Sequence, residues 1–314
     1  VLNQAALHPD IDEFYHKHGK IETIREMIMA KRKLRKGIAL KLALLAALFV
    51  VATLGTAFGL NYLFNRPQEE KKSEEPEVVA TPTPTPEPVT TSASLFMVGD
   101  ALLHTTIEAD ASNGDGTYTF NLLDRIGAIA QNYDLRYYNQ ETILGGDDLG
   151  IHGYPRFNGP QSWGDYMLSL GFNLVSTANN HCLDMNTYGL ENSVNYWKSK
   201  EGILMNGTYT SQEDYDAIPV GEINGIRYAF LSFCHDMNGL QPKQPYYVSC
   251  YDGHEEEMLN KVAQAKTMAD VVLVAMHWGD EYQTSPNEHQ TTLAQQLADA
   301  GADIIIGNHP HCIE

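Results

Sequence analysis

Five short stretches of the chain hold residue types that bind metals or move protons. They are Gly99-Asp100, Asn139-Gln140-Glu141, Asn179-Asn180-His181 with Asp184 three residues on, His277-Trp278-Gly279, and Asn308-His309-Pro310-His311. Carboxylate, amide and imidazole donors together suit borderline divalent ions such as Mn²⁺, Fe²⁺ or Zn²⁺. Two such ions, about 3.5–4 Å apart, can share a bridging carboxylate and activate the water between them. Glu141 is placed to supply that carboxylate. Singly, most of these residues say little: Gly-Asp after a strand is commonly a turn, and a lone His277 is commonly a satisfied buried histidine. The His-Pro-His triplet is more specific, because two imidazoles on one tight loop have few other uses. Together the five stretches point to a metal site.

The elements that must position them are legible as apolar, β-branched runs. Strands are expected over 95–98, 173–177, 228–233, 271–275 and 304–306. Four of these five runs lead directly into one of the polar stretches. Helical periodicity falls between them, over 122–132, 163–170, 189–200, 254–268 and 288–300. Strands alternating with helices predict an α/β domain from Ser94 onward. In open α/β sheets, ligands bind beyond the carboxyl ends of the strands. Residues far apart in sequence would therefore converge at one end of the fold.

The ordered set Gly99-Asp100, Asn139-x-Glu141, Ala178-Asn179-Asn180-His181-x-x-Asp184, His277-Trp278-Gly279-x-Glu281-Tyr282 and Gly307-x-His309-Pro310-His311 resembles the CapA family of poly-γ-glutamate capsule biosynthesis proteins. The resemblance runs from about Ser94 to the last residue. That family is similar to the calcineurin-like metallophosphatases, which implies a sandwich of two sheets flanked by helices. By position it implies that Asp100, Glu141, Asn180, His277, His309 and His311 bind one or two divalent ions. His181 would stand beside them as a general acid or charge stabiliser, and Asp184 would either orient His181 or cap the following helix. Two positions depart from the classical metallophosphatase pattern. Leu102 stands where those enzymes have histidine, with His104 out of register, and Asn139-x-Glu141 replaces their Gly-Asp. The family also continues past its His-Pro-His loop, so the domain over 94–314 is expected to be part of a longer one.

The implied role is in synthesis, export or release of poly-γ-glutamate or a similar anionic envelope polymer, beside other membrane subunits of a capsule synthase. Two other readings stay open. One is an extracytoplasmic metal-dependent hydrolase of phosphoester or amide bonds in another envelope substrate. The other is a non-catalytic scaffold of the same fold.

Charge and hydropathy place the rest of the chain. Leu42 to Phe64 is an uncharged, mainly apolar run of 23 residues. At about 1.5 Å per residue it is long enough for a hydrocarbon core of roughly 30 Å, and residues 38–64 are read as one transmembrane helix. Lys31, Arg32, Lys33, Arg35 and Lys36 precede it, and positive flanks stay in the cytoplasm. Residues 1–37 are thus a cytoplasmic segment. Residues 65–93, with six prolines, form an extended Pro/Thr/Glu-rich linker that presents the domain outside the cell membrane.

Residues 65–314 carry twelve Lys/Arg against thirty-five Asp/Glu. Nucleic-acid partners need a basic footprint and are excluded on that ground. Cys182, Cys234, Cys250 and Cys312 form no CxxC pair and read as free, mostly buried thiols. Cys182 and Cys312 lie close enough to the histidine motifs for metal contact. External protease on intact cells should digest the chain after Arg66 and spare residues 1–37; a fully protected domain would reverse the orientation.

Overall fold

A computed structural model describes residues 90–314. The expected membrane helix, the cytoplasmic segment and the linker up to residue 89 lie outside the described residues. No described helix is long and apolar enough to cross a membrane.

Among the described residues, eight strands form two four-stranded sheets. The first joins β1 (Leu95–Asp100), β2 (Leu135–Asn139), β3 (Leu174–Ser176) and β4 (Leu204–Asn206), all parallel. The second joins β5 (Val220–Ile223), β6 (Ile226–Cys234), β7 (Val271–His277) and β8 (Ile304–Asn308). There β5 and β6 are antiparallel, and β6, β7 and β8 run parallel. The five expected strands are present. The expected α/β sandwich of two sheets flanked by helices is the observed architecture. Sequence patterning alone does not mark the short β2, β4 and β5, which lack the apolar, β-branched runs of the five expected strands.

The two-residue alternation of each strand sorts its side chains between two faces. One face of each sheet points at the other sheet. Leu135, Tyr137, Leu174, Phe230, Leu273, Ala275 and Ile306 fill this layer. The opposite faces are covered by helices. Tyr138 and Val175 pack with Trp163, Met167 and Trp197 on the first sheet. Leu231, Val274 and Met276 pack with Met258, Val262, Leu293 and Leu297 on the second. The last of these helices, Glu288–Ala300, starts on a capping box of Asn287 and Gln290 and stops at left-handed Gly301.

Continued to the carboxyl ends, the same alternation turns the inter-sheet layer polar. Tyr137 is followed on that face by Asn139, Ala275 by His277, and Ile306 by Asn308. Ser176 and Ser232 share a 2.7 Å hydrogen bond across the sheets, and Asn308 Nδ2 donates to the Tyr137 hydroxyl at 2.7 Å. Asp100 reaches this layer through a register shift. Met97 pairs with Tyr137 but Asp100 pairs with Asn139, so β1 holds one extra residue. A single inserted residue reverses which face a side chain takes. Phe96 and Val98 pack on the helix side, while Asp100 faces Asn139.

Gly207, just past β4, has φ 122. A Cβ there would lie 2.3 Å from the Ala178 backbone nitrogen and 2.9 Å from Ser232 Oγ. This close approach holds the Ala178-Asn179-Asn180 turn against the strand ends. Gly207→Ala should destabilise the domain by more than about 1 kcal/mol, since backbone cannot yield as a flexible side chain can. A urea titration with an unchanged midpoint would refute this.

Candidate metal centre

Glu141 lies two residues beyond β2, at the polar end of the inter-sheet layer, and is wholly buried. Two groups of possible ligands form around it. In one, Glu141, His277 and His309 each offer an atom within 4.8 Å of the others; in the second, Asp100, Glu141 and His311 do the same. Glu141 belongs to both, as a bridging carboxylate would. Its Oε1 lies 3.7 Å from His277 Nε2 and 3.9 Å from His311 Nε2. The amide oxygen of Asn180 is 3.0 Å from His277 Nε2. All six expected metal ligands thus converge. His104 and the two cysteines of the histidine motifs, Cys182 and Cys312, join neither group.

The loop after β8 returns both its histidines to this point at a conformational cost. His309 has φ 95 and His311 φ 59. Non-glycine residues at such angles cost on the order of 1–3 kcal/mol each and persist where the surroundings over-determine them. Here the His309 amide donates to Asp100 Oδ2 at 3.2 Å, and His311 Nδ1 lies 3.0 Å from the same oxygen. The rings of His277 and His309 sit 4.7 Å apart.

The electrostatics fit a cation. Neither oxygen of Glu141 has a hydrogen-bond partner, and His309 Nδ1 also has none. Burial, then the charges of Asp100, Glu281 and Asp184, push the Glu141 carboxyl well above the usual range. An ionised carboxylate is not kept in such a place without a compensating charge. Burial lowers His277 well below the ordinary imidazole value, and burial also lowers His309. Both are therefore neutral, the form that ligates metal. His311 is raised by its hydrogen bond to Asp100. Burial raises Asp100, but the bonds from His311 and Asn139 and the nearby His277 bring it below the ordinary carboxyl value.

His181 and Asp184 form a buried pair beside these ligands. His181 Nδ1 lies 2.7 Å from Asp184 Oδ2, which also accepts from the Phe157 amide at 2.7 Å. A carboxylate only accepts, so Nδ1 carries the hydrogen and Nε2 is left to exchange a proton. Asp184 orients His181 and does not cap the helix Asn186–Lys198, whose N-cap is Met185 with no side-chain bond. Arg156 donates to the Asp184 carbonyl, and the Phe157 ring meets His181 edge-on at 4.7 Å.

Two neighbouring residues position the ligands: Asn139, which stands in the Asn139-x-Glu141 motif without a role assigned there, and Asn238, which the sequence reading missed. Asn139 Nδ2 donates to Asp100 Oδ1 at 2.8 Å and lies 3.3 Å from His277 Nδ1, fixing both side chains. Its alternation with Tyr137 could have identified it. Asn238 Oδ1 accepts from Asn180 Nδ2 at 3.3 Å, aiming the Asn180 oxygen at His277. No sequence signal marked Asn238.

Glu141→Gln should lower bound divalent metal more than His277→Ala or His311→Ala alone, because only Glu141 serves both groups. Protons compete first for Glu141 and His311, whose proton affinities are raised, and only at lower pH for His277 and His309, so metal content should fall progressively as pH drops. Elemental analysis of each variant decides this. Undiminished metal in Glu141→Gln would remove the bridging role.

Over 155 residues the chain is 30% identical to the PGA biosynthesis protein CapA of Bacillus subtilis, covering 46% of this chain and 38% of that protein. Over 151 residues it is 32% identical to the capsule biosynthesis protein CapA of Bacillus anthracis, covering 46% and 36%. The chain thus spans less than two fifths of the length of these relatives. A Staphylococcus aureus structure described as a candidate 5′-nucleotidase, in complex with α-ketoglutarate, aligns over 69% of this chain and 45% of its own. At 15% identity and a TM-score of 0.46, that alignment carries no argument. Residues 94–314 match the family described as bacterial capsule synthesis protein PGA_cap, and the chain belongs to that family.

Proposed function

We propose that this chain handles poly-γ-glutamate, or a similar anionic envelope polymer, at a divalent-metal centre held by Asp100, Glu141, Asn180, His277, His309 and His311. The observation that carries the reading is the buried, unpartnered Glu141 carboxylate shared by two ligand groups. A strongly acidic domain repels a polyanion. Bound divalent ions are the local positive charge that would draw the polymer's carboxylates to this end of the sheets. When bound, such ions polarise a carbonyl or phosphoryl oxygen and lower the pKa of coordinated water.

The chain's own groups supply the remainder. Asp184 fixes the tautomer of His181, whose Nε2 is free to give or take a proton at a leaving group. Asn139 and Asn238 hold Asp100, His277 and Asn180 in place. The His181–Asp184 pair also favours a second reading, a metal-dependent hydrolase of phosphoester or amide bonds in a different envelope substrate. We place the domain outside the cell membrane, anchored through residues 38–64.

Binding of γ-linked glutamate oligomers to the full chain tests the first reading. Retention is expected with Mn²⁺ and its loss with a chelator or in Glu141→Gln; metal-independent retention would refute the metal centre as the contact. Under either reading, His181→Ala should keep its metal while any bond cleavage falls by about 10²–10⁴-fold. Cleavage of a chromogenic phosphodiester without retention of the oligomer would favour the second reading.

A further inference from the structure

Three thiols meet at the carboxyl end of β6, where Cys234 lies in register with His277 but outside the ligand set. Cys234 is the last residue of β6, and Cys250 bridges to it as an isolated parallel pair. The Cys234 amide donates to Ser249 O at 3.0 Å, and the Tyr251 amide donates to Cys234 O at 2.9 Å. This threads Cys250 directly opposite Cys234. Bridged strands run about 4.8 Å apart, inside the range of about 4.4–6.8 Å that the Cα atoms of a disulfide span. Cys182 and Cys234 are buried, Cys250 is half-buried, and all are free.

The pair is asymmetric in the way thiol exchange requires. Cys250 lines a cleft of about 670 Å³, together with His235, Pro242, Tyr246 and His254. Hydrogen bonding from Cys234 brings the Cys250 thiol down to about 7, against the opposing effect of its partial burial. Cys234 is buried and does not line this cleft. The thiolate is the attacking species, so the accessible member of the pair is the activated one.

We propose that Cys250 and Cys234 form a reversible disulfide by exchange with a disulfide-bearing oxidant admitted through this cleft. The Cys250 thiolate attacks one sulfur of the oxidant, forming a mixed disulfide and releasing one thiolate. That thiolate takes the Cys234 proton. The Cys234 sulfur then attacks the Cys250 sulfur, closing the intramolecular bond and expelling the second thiolate, which is protonated by solvent. The two cysteines lose two electrons, and the oxidant is reduced to two thiols. Nothing in this step depends on the metal-centre reading.

The test is peptide mapping of the full chain after oxidised glutathione, with free thiols alkylated before digestion. Cys312, exposed and remote from the trio in sequence, reports that the oxidant has acted. A Cys234–Cys250 cross-link that dithiothreitol removes is expected in the wild type. Cys234→Ser should instead retain a glutathione adduct on Cys250, and Cys250→Ala should show neither product. If Cys234→Ser does not fold, the wild type and Cys250→Ala still decide the matter. Alkylated Cys234 and Cys250 beside a modified Cys312, a Cys182–Cys234 link, or a lasting adduct on wild-type Cys250 would each overturn the proposal.

Discussion

A buried carboxylate without a hydrogen-bond partner is the constraint around which this domain is arranged. Glu141 sits at the end of the layer between two sheets, with both oxygens unpaired. Leaving a charged group in that state costs several kcal/mol unless a cation or a proton compensates. Imidazoles from the end of β7 and from the loop after β8, together with a second carboxylate, surround it, and neighbouring contacts fix them. Asn139 ties Asp100 to His277, Asn238 aims Asn180, and the Asp100 carboxylate receives the His309 amide. Such outer contacts keep ligands in one orientation, so little reorganisation is needed on binding.

Other than glycine and asparagine, the left-handed residues lie at the same end. Positive φ angles at His309, His311 and Tyr282 concentrate around the ligand loop. The sheet interior, built of Tyr137, Phe230, Leu273 and Ile306, is apolar and regular. The apolar part of the inter-sheet layer supplies stability, and its polar continuation uses some of it to hold strained backbone and desolvated ligands. This division explains why the layer ends in serine, asparagine and histidine on the face that is leucine and tyrosine further down.

The acidity of the domain and the chemistry of the centre work in opposite directions on an anionic partner. Long-range repulsion is screened within about 8 Å at physiological ionic strength, so contact range decides. There, the ligand cluster is the place where divalent charge can outweigh the surrounding carboxylates. Phe157, Arg156 and the His181–Asp184 pair border the same region and give it one side that is aromatic and proton-exchanging.

Much of the fold was legible in the residues themselves. Apolar runs identified five strands, and the Asp, Asn or His after four of them marked the end of the sheets where chemistry gathers. Motif order also singled out Asp100, Glu141, Asn180, His181, Asp184, His277, His309 and His311. Tertiary structure decided which of these meet, and how. The extra residue in β1 turns Asp100 toward Asn139, and a one-residue shift leaves no trace in hydrophobic periodicity. Asp184 orients His181 because the Phe157 amide, 27 residues earlier in the chain, shares its carboxylate. Asn238 and the pairing of Cys234 with Cys250 arise from segments with no common motif. Sequence determines which face a strand residue takes; only packing of one sheet on the other determines what that face encounters.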